Sequence, residues 1–238
     1  MTAAALLIAL AAAAPAAPSA PAWTALASGA EHLHVDAGAI ELFRFDLEMF
    51  RADVVVPGAV KPATAAALRK QAGAALVVNG GFFDTEGRSL GLRIADGRKV
   101  IGLRPNVDWG VLMVRSGRAA IVHSREWAAA SAAPPPVTGA IQVGPRIVID
   151  GRVPTLKPQA ARRTAVAVDQ SGRFLTIAVA DARLQAADLG QTLAGLGFTS
   201  ALMFDGGPST QLSAAIGDYT REIPGGYGVP DALVIRRR

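Results

Sequence analysis

The 238-residue chain is long enough for one large domain or two small ones, and its 51% hydrophobic content excludes a disordered chain. It contains no cysteine, which excludes disulfides, thiolate metal sites and a cysteine nucleophile. The formal net charge is +5, and the basic residues are spread along the chain without a basic stripe carrying aromatics. This pattern favours anionic substrates or surfaces and argues against nucleic acid as a partner.

The first 22 residues differ in composition from the rest and are typical of a secretory signal peptide with a small-residue leader. Residues 1–14 are dominated by Ala, Leu and Ile without any charged side chain, and Ala20-Pro21-Ala22 matches the small-residue form of a cleavage site. The apolar run is shorter than the roughly 20 residues that span a bilayer, so we expect no permanent membrane anchor. We therefore expect an exported protein, periplasmic or extracellular; the alternative is an Ala-rich N terminus of a cytosolic protein.

Short apolar stretches separated by turn residues fill the rest of the chain, residues 23–238, which we expect to form a single domain. Alternating or continuous apolar patterns predict strands. The predicted strands cover residues 32–37, 40–46, 54–56, 74–78, 92–95, 99–102, 111–114, 119–123, 146–149, 164–168, 174–180, 201–204 and 232–235. Helices are predicted at residues 62–72 and 184–196, because each of these patterns ends at a glycine.

Tight turns and one Pro-rich loop connect these elements. Residues that tolerate left-handed φ values predict four turns, at Asp96-Gly97, Ser116-Gly117, Asp150-Gly151 and Ser171-Gly172. Residues 128–136 are rich in Ala and Pro and are predicted to form a loop, the best candidate for a mobile segment. Hairpins with so few helices indicate an α+β fold, in which a few helices pack on a mixed, largely antiparallel twisted sheet.

Two predicted strands end in the same way, with a polar residue followed by two glycines. The first runs into Asn79-Gly80-Gly81 and the second into Asp205-Gly206-Gly207. Paired glycines let the backbone turn sharply and approach a ligand closely. Pro208 suits the first position of a helix with Ser209 and Thr210 in its first turn, where free N–H groups bind anions such as phosphate. Plain turns capped by Asn and Asp are the structural alternative for a single junction, and the repetition favours function.

Three blocks of the sequence resemble the signature blocks of the phosphodiester glycosidase family. They are Asn79-Gly80-Gly81-Phe82-Phe83, Arg163-Thr164-Ala165-Val166-Ala167-Val168-Asp169 and Asp205-Gly206-Gly207-Pro208-Ser209-Thr210. The resemblance covers residues 32–235, with two departures: Pro208 stands where many members have a third glycine, and Ala182 where glycine is usual. The resemblance implies an enzyme that hydrolyses a sugar-1-phosphodiester, at the glycosidic C–O bond to phosphate, in an envelope or extracellular glycan.

The resemblance also implies roles for residues of these blocks. Asp205 is the expected catalytic carboxylate, as base or nucleophile, since phosphate is a good leaving group that needs little protonation. Arg163 is the expected phosphate clamp, because a planar guanidinium binds phosphate oxygens in pairs. Asn79 is expected to orient a sugar hydroxyl or a water. The further expected substrate-binding residues are Gly80, Gly81, Phe83, Asp84, Thr164, Asp181, Gly206, Gly207, Ser209 and Thr210.

Plainer roles compete with several of these assignments. Arg163 also fits a solvated strand edge, Asp181 the cap of a turn, Asp84 a loop turn, and Phe82 and Phe83 the core. At the level of function, the alternatives are a non-catalytic glycan-binding module on the same fold and a phosphodiesterase that cuts the P–O bond.

Other chemistries have weaker support in the sequence. A serine hydrolase needs a positioned base, and the chain has three histidines and no G-x-S-x-G elbow. No recognised metal-ligand spacing is present, so neither a metal nor another cofactor is predicted, although the carboxylates of Asp84, Asp181 and Asp205 leave a divalent cation open. His32 and His34 fit an exposed polar face better than a metal pair. The expected partner is a small-molecule or glycan substrate bearing phosphate, and the oligomeric state stays open.

Overall fold

The computed structural model of the chain describes residues 22–35, 37, 39–56 and 62–238. The signal-peptide prediction, apart from Ala22, lies outside these residues. The strands are β1 (Thr24–Ala27), β2 (Ala30–Val35), β3 (Ile40–Asp46), β4 (Phe50–Val55), β5 (Leu76–Asn79), β6 (Arg93–Ala95), β7 (Arg98–Ile101), β8 (Gly110–Arg115), β9 (Arg118–His123), β10 (Gly139–Val143), β11 (Arg146–Ile149), β12 (Ala160–Val168), β13 (Phe174–Gln185), β14 (Ser200–Met203), β15 (Leu212–Ile216), β16 (Tyr219–Ile223) and β17 (Ala232–Arg237). The α-helices are α1 (Ala65–Ala72), α2 (Trp127–Ala132) and α3 (Ala186–Gly195).

The strands form three sheets, and every pairing between described strands is antiparallel. The first sheet has the order β1-β2-β3-β13-β12-β14-β11, the second β7-β6-β10-β8-β9 and the third β16-β15-β5-β17-β4. The predicted α+β class is confirmed. A single sheet was predicted, whereas the strands divide among three. A strongly twisted open sheet rarely exceeds about 10 strands before it splits into packed sheets.

The three sheets share an apolar core. Phe45 of β3, Leu112 of β8 and Leu233 of β17 are all completely buried in the same cluster, so each sheet contributes one face to it. Phe45 and Phe50 pack edge to face with their ring centroids 5.1 Å apart, which joins the first sheet to the third. This core holds the ends of strands from different sheets at fixed relative positions.

Two helices cover outer faces of the sheets. Leu189 and Leu193 of α3 are fully buried on the first sheet, in a cluster that includes Ala165 of β12. Helix α1 packs on the third sheet, where Leu68 joins the buried cluster of Val77. Both helices lie on faces that the shared core does not use, so the first and third sheets are covered on both sides.

The element boundaries differ from the predictions for identifiable reasons. Helix α1 begins at Ala65 because Thr64 caps it, accepting a hydrogen bond from the Ala67 amide at 3.2 Å. Helix α3 begins only at Ala186, because β13 continues to Gln185 in its pairing with β12. The predicted loop at residues 128–136 contains most of α2, so its first part is helical.

The predicted turns and one of the hairpins that were not predicted complete the comparison. Asp96, Ser116 and Asp150 have positive φ values of 48°, 40° and 49°, as expected for these turns. No strand follows the turn at Asp150, only an isolated bridge between Ile149 and Arg152. The hairpin of β15 and β16 was not predicted, because the alanines of β15 have low strand propensity.

Gln142 of β10 joins the second sheet to the loops around it. Its side chain is completely buried, and its Oε1 accepts from the amides of Leu92 at 3.0 Å and Arg104 at 2.8 Å. Its Nε2 donates to the Arg104 carbonyl at 2.8 Å and to the Ser124 hydroxyl at 2.9 Å. The Ser124 amide in turn binds the Trp109 carbonyl at 2.9 Å, so Gln142 fixes the approach to β8.

Gln142→Leu is expected to lower the free energy of unfolding by about 3 kcal/mol, because it leaves several buried donors and acceptors without a partner. Urea denaturation followed by circular dichroism measures this loss. Gln191→Leu, on the exposed face of α3, is the matched control and should stay within about 0.5 kcal/mol of the original protein. Equal losses in the two variants would contradict the role of Gln142.

Candidate functional site

The two Gly-Gly junctions meet in space, although they lie on different sheets. The Asp205 amide donates to the Gly80 carbonyl at 3.1 Å. The Asn79 side-chain amide donates to the Asp205 carbonyl at 2.8 Å across 126 residues of sequence. Because β5 belongs to the third sheet and β14 to the first, this contact closes the seam between the two sheets at the ends of these strands.

Asn79 is the centre of this seam and is completely buried. Its Nδ2 donates to the carbonyls of Asp205, at 2.8 Å, and of Gly80, at 3.3 Å. Its Oδ1 accepts from the Thr164 hydroxyl at 2.8 Å and from the Gln211 amide at 3.2 Å. These four bonds use the full capacity of the amide. The structure therefore places Asn79 and Thr164 behind the site, where they hold the backbone of Asp205.

The Asp205 carboxylate lines an open cleft and is itself largely desolvated. Burial raises the pKa of Asp205 above its usual value, hydrogen bonds from the Ser209 hydroxyl and the Gly206 amide oppose this shift, and the charge of Asp231 adds to it. The Gly206 amide lies 2.9 Å from Oδ1. The carboxylate is thus held in one orientation by its own turn, in an environment that disfavours its charge.

Arg163 lies beside Asp205 in the same cleft and is 4% exposed. Its Nε donates to the Leu184 carbonyl at 3.1 Å, and its Nη2 donates to the Gln159 carbonyl. Its Nη1 faces the Gly206 turn, since a Cβ added at Gly206 would lie 3.6 Å from it. Burial lowers the pKa of Arg163 from its usual value, and Arg163 forms no ion pair with any described residue. A guanidinium stays charged under such conditions, so the cleft contains a buried cation without a counter-ion.

The cleft has a volume of about 980 Å³ and walls of mixed character. Phe82 and Trp109 form an aromatic wall, packed edge to face with ring centroids 5.1 Å apart. The charged residues that line it besides Asp205 and Arg163 are Asp108, Lys157 and Arg183. Among the described residues there is no group of three or more His, Asp or Glu side chains that could hold a metal ion.

A family model described as phosphodiester glycosidase matches residues 72–236, more than half of the chain and all of the cleft described above. The chain belongs to the phosphodiester glycosidase family. Comparison with curated proteins gives no match. The signature blocks that contain Asn79, Arg163 and Asp205 therefore belong to one family domain, and the structure brings them together at a single seam.

Solved structures of low sequence identity share the fold. The catalytic domain of zebrafish N-acetylglucosamine-1-phosphodiester alpha-N-acetylglucosaminidase, auto-inhibited by its pro-peptide, is 17% identical with a TM-score of 0.64, over 88% of this chain and 82% of that chain. A hypothetical protein from Synechocystis is 14% identical with a TM-score of 0.62, over 92% and 64%. The "Putative exported protein" of Burkholderia pseudomallei is 14% identical with a TM-score of 0.60, over 87% and 74%.

Within the family domain, the glycines of the first junction pack against a buried ion pair. Arg93 and Asp231 are both completely buried, with Nε and Oδ2 3.0 Å apart. A Cβ at Gly80 would lie 1.8 Å from Asp231 Oδ1, and the Gly81 amide donates to that oxygen at 2.8 Å. Neither Gly80 nor Gly81 lines the cleft. Sequence reasoning missed this pair, although Asp231 stands at the start of a buried strand, much as Asn79 stands at the end of one.

The second junction is open to the cleft but lacks the predicted helix. Gly207–Ser209 forms a single 3-10 turn, because Gly207 adopts a positive φ of 59° and Thr210 leaves the helical region. The expected anion site at a helix N terminus is thus corrected to a turn whose glycines, Gly206 and Gly207, line the cleft. Ser209 and Thr210 are completely buried behind it, and Ser209 also contacts the Tyr227 hydroxyl at 3.2 Å.

Three further residues that were expected to bind substrate also lie away from the cleft. Phe83 packs edge to face on Tyr227, with centroids 5.9 Å apart, and it is the neighbouring Phe82 that lines the cleft. Asp84 caps a turn, accepting from the amides of residues 86 and 88, and its side chain pairs with the Arg88 side chain at 2.8 Å. Asp181 lies within β13 and pairs with Arg162 at 2.8 Å.

Asp108 is a second carboxylate of the cleft that sequence reasoning missed. Its side chain is 91% exposed, and His123 Nε2 lies 2.8 Å from its Oδ1. The Nδ1 of His123 accepts a hydrogen bond from the Arg125 amide at 3.1 Å, so Nε2 carries the proton and donates to Asp108. Only the position of Asp108 just before the aromatic Trp109 offered a signal, since nothing in the spacing links it to Asp205.

Asp205→Asn is expected to raise the melting temperature at pH 7. Because the pKa of Asp205 is raised in the folded protein, its ionisation destabilises the fold above that pKa, and this effect disappears as the pH falls below the unfolded value of about 3.9. The gain should therefore shrink between pH 7 and pH 3 in thermal unfolding. Asp84→Asn is the matched control of opposite sign, because Arg88 lowers the pKa of Asp84. A lower melting temperature for Asp205→Asn at pH 7 would contradict the desolvated carboxylate.

Proposed function

We propose that this protein hydrolyses a sugar-1-phosphodiester by breaking the glycosidic C–O bond to phosphate. The observation that carries the proposal is the pair of charges in the cleft, a desolvated carboxylate at Asp205 beside a buried guanidinium at Arg163. Perturbed ionisable groups that share a cleft favour a functional site over a structural one. A phosphodiester bonded to a sugar provides a partner for each group. Its phosphate is an anion that Arg163 can bind, and its anomeric carbon is an electrophile for Asp205.

Arg163 is the proposed phosphate clamp. Its Nε and Nη2 are held by backbone carbonyls, which fixes the plane of the guanidinium, while Nη1 makes no hydrogen bond to a described residue. The glycine at position 206 keeps the space beside Nη1 free of a side chain. A phosphate oxygen in that space gains a charge-assisted hydrogen bond, which strengthens as the phosphate takes up negative charge on departure.

Asp205 is the proposed group that acts at the anomeric carbon. The bond between C1 and the phosphate oxygen breaks, and its electron pair leaves with the phosphate. The oxygen of a water molecule then forms the new bond to C1, and its proton is accepted by a base. The ionised Asp205 serves either as that base or as the nucleophile. As the nucleophile, its carboxylate oxygen bonds to C1 while the phosphate leaves; the water oxygen then displaces it, so the bond between Asp205 and C1 breaks and the water proton passes to the solvent. The products are a free sugar and a phosphate monoester.

The aromatic wall of the cleft supports a sugar as the other half of the substrate. Phe82 and Trp109 present apolar ring surfaces, while the carboxylate and the guanidinium lie on the Gly206 side. Pockets that combine apolar walls with a few placed polar groups are typical small-molecule sites. We place this activity outside the cytoplasm. The signal-like composition of residues 1–22 supports export, and so does the name of the Burkholderia relative.

Arg163→Ala is expected to lower the rate of sugar release from a sugar-1-phosphodiester by about 100-fold or more, because it removes a preorganised donor to the departing phosphate. Arg162→Ala is the matched control: Arg162 is the next residue, yet it pairs with Asp181 and binds the Pro224 carbonyl. It should keep most of the activity. Asp205→Asn should abolish release while the protein stays folded. Full activity in Arg163→Ala and Asp205→Asn would overturn the proposed mechanism.

Hydrolysis in ¹⁸O-labelled water tests which bond is cut. Label in the sugar means C–O cleavage, as proposed, and label in the phosphate means that the protein is a phosphodiesterase. The anomeric configuration of the released sugar then separates the two roles of Asp205, because retention requires a nucleophile and inversion a base. Tight binding without turnover across a panel of sugar-1-phosphodiesters would instead support a glycan-binding module.

A further inference from the structure

Three cationic side chains line the cleft, two more than the proposed phosphate clamp uses. We propose that Lys157 and Arg183 form a second anion subsite, so that the preferred substrate bears another anionic group next to the scissile phosphodiester, as in a chain of phosphate-linked sugars. This inference rests on the proposed function of the same cleft. It concerns the substrate class and the direction in which the substrate lies.

The cations of the cleft are unpaired, whereas a neighbouring cation is not. Arg163, Lys157 and Arg183 form no ion pair with any residue in the described part of the chain. Arg162, next to Arg163, is neutralised by Asp181 at 2.8 Å. The carboxylate of β13, Asp181, therefore pairs with Arg162 and not with Arg183 of its own strand.

Arg183 and Arg163 are fixed to consecutive backbone carbonyls. Arg163 donates from Nη2 to the Gln159 carbonyl, and Arg183 donates from Nη2 to the Ala160 carbonyl at 2.9 Å. Both side chains line the same cleft, so two guanidinium groups are anchored to this short piece of backbone at the cleft. Arg163 is buried and Arg183 is exposed, so positive charge continues from the deep part of the cleft to its rim.

Lys157 extends the same charged rim. It is exposed on the segment between β11 and β12, two residues before Gln159, and it lines the cleft together with Thr155 and Leu156. Asp108, in contrast, belongs to the Trp109 segment, where its negative charge disfavours an anion. The anionic continuation of a substrate therefore runs along Lys157 and Arg183, away from Asp108.

The size of the cleft agrees with an extended substrate. Its volume of about 980 Å³ lies at the upper end of the roughly 300–1,000 Å³ that hold drug-sized ligands. A single sugar phosphate is smaller than such ligands, so room remains beyond the sugar and its phosphate for the next anionic unit.

Two substrates and two double variants test the subsite. The first substrate is a sugar-1-phosphodiester with a neutral alkyl aglycone, and the second carries a terminal phosphate on the same alkyl aglycone. We expect the original protein to hydrolyse the second with a kcat/KM about tenfold higher at low salt, and the preference to fall as salt screens the exposed cations. In Lys157→Ala/Arg183→Ala, the ratio of the two kcat/KM values should fall towards 1 through a higher KM for the second substrate.

The control double variant is Arg98→Ala/Lys99→Ala, which removes the same charge from the exposed strand β7 outside the cleft. It should keep the preference. Equal rates on both substrates in the original protein, or a preference that survives in the Lys157/Arg183 variant, would overturn the subsite and leave the proposed function standing. If the original protein hydrolyses neither substrate, the proposed function fails, and the subsite fails with it.

Discussion

The buried side-chain amide of Asn79 is the contact on which the site depends. Its oxygen needs two donors and its nitrogen needs two acceptors, and each partner comes from a different part of the chain. The Thr164 hydroxyl and the Gln211 amide supply the donors, while the carbonyls of Gly80 and Asp205 supply the acceptors. An aspartate at this position would place a carboxylate oxygen, which cannot donate a hydrogen bond, next to these two carbonyl oxygens. The amide thus joins the seam between two sheets and fixes the backbone that carries the carboxylate.

The site combines two charges that the fold itself does not satisfy. Desolvation disfavours the charged forms of both Asp205 and Arg163, yet the two side chains form no ion pair with each other. A direct pair would neutralise both groups and leave little for a substrate. Nearby, Arg93 and Asp231 form a fully buried pair that supports the Gly80 turn. The same small region therefore contains one ion pair that is satisfied within the fold and two charged groups that are not, and we propose that the substrate binds to the latter.

Local patterns were enough to predict most strands, the positive-φ turns and the two Gly-Gly junctions. These features are indicated by alternating apolar and polar residues, by continuous apolar runs and by glycine, all of which are visible over a few residues. Arg163 and Asp205 were assigned to one site from the family blocks, and the structure brings them into one cleft. The hairpin of β15 and β16 was missed because its alanines give little pattern.

What the sequence could not reveal are contacts across sheets. Nothing local shows that Phe82 turns into the cleft while Phe83 packs on Tyr227, or that Asp84 and Asp181 have arginine partners. Asp108 was missed for the same reason, since it reaches the cleft through the packing of the second sheet on the first. The number of sheets was also beyond local patterns, because strand pairing is decided by contacts between distant residues.

The most direct measurement is a crystal structure of the Asp205→Asn variant with an intact sugar-1-phosphodiester in the cleft. We expect a phosphate oxygen within about 3 Å of the Arg163 guanidinium and the anomeric carbon facing the side chain of residue 205. The sugar should lie against the wall of Phe82 and Trp109. A phosphate bound away from Arg163, or an anomeric carbon turned away from residue 205, would contradict the assignment of this seam as the active site.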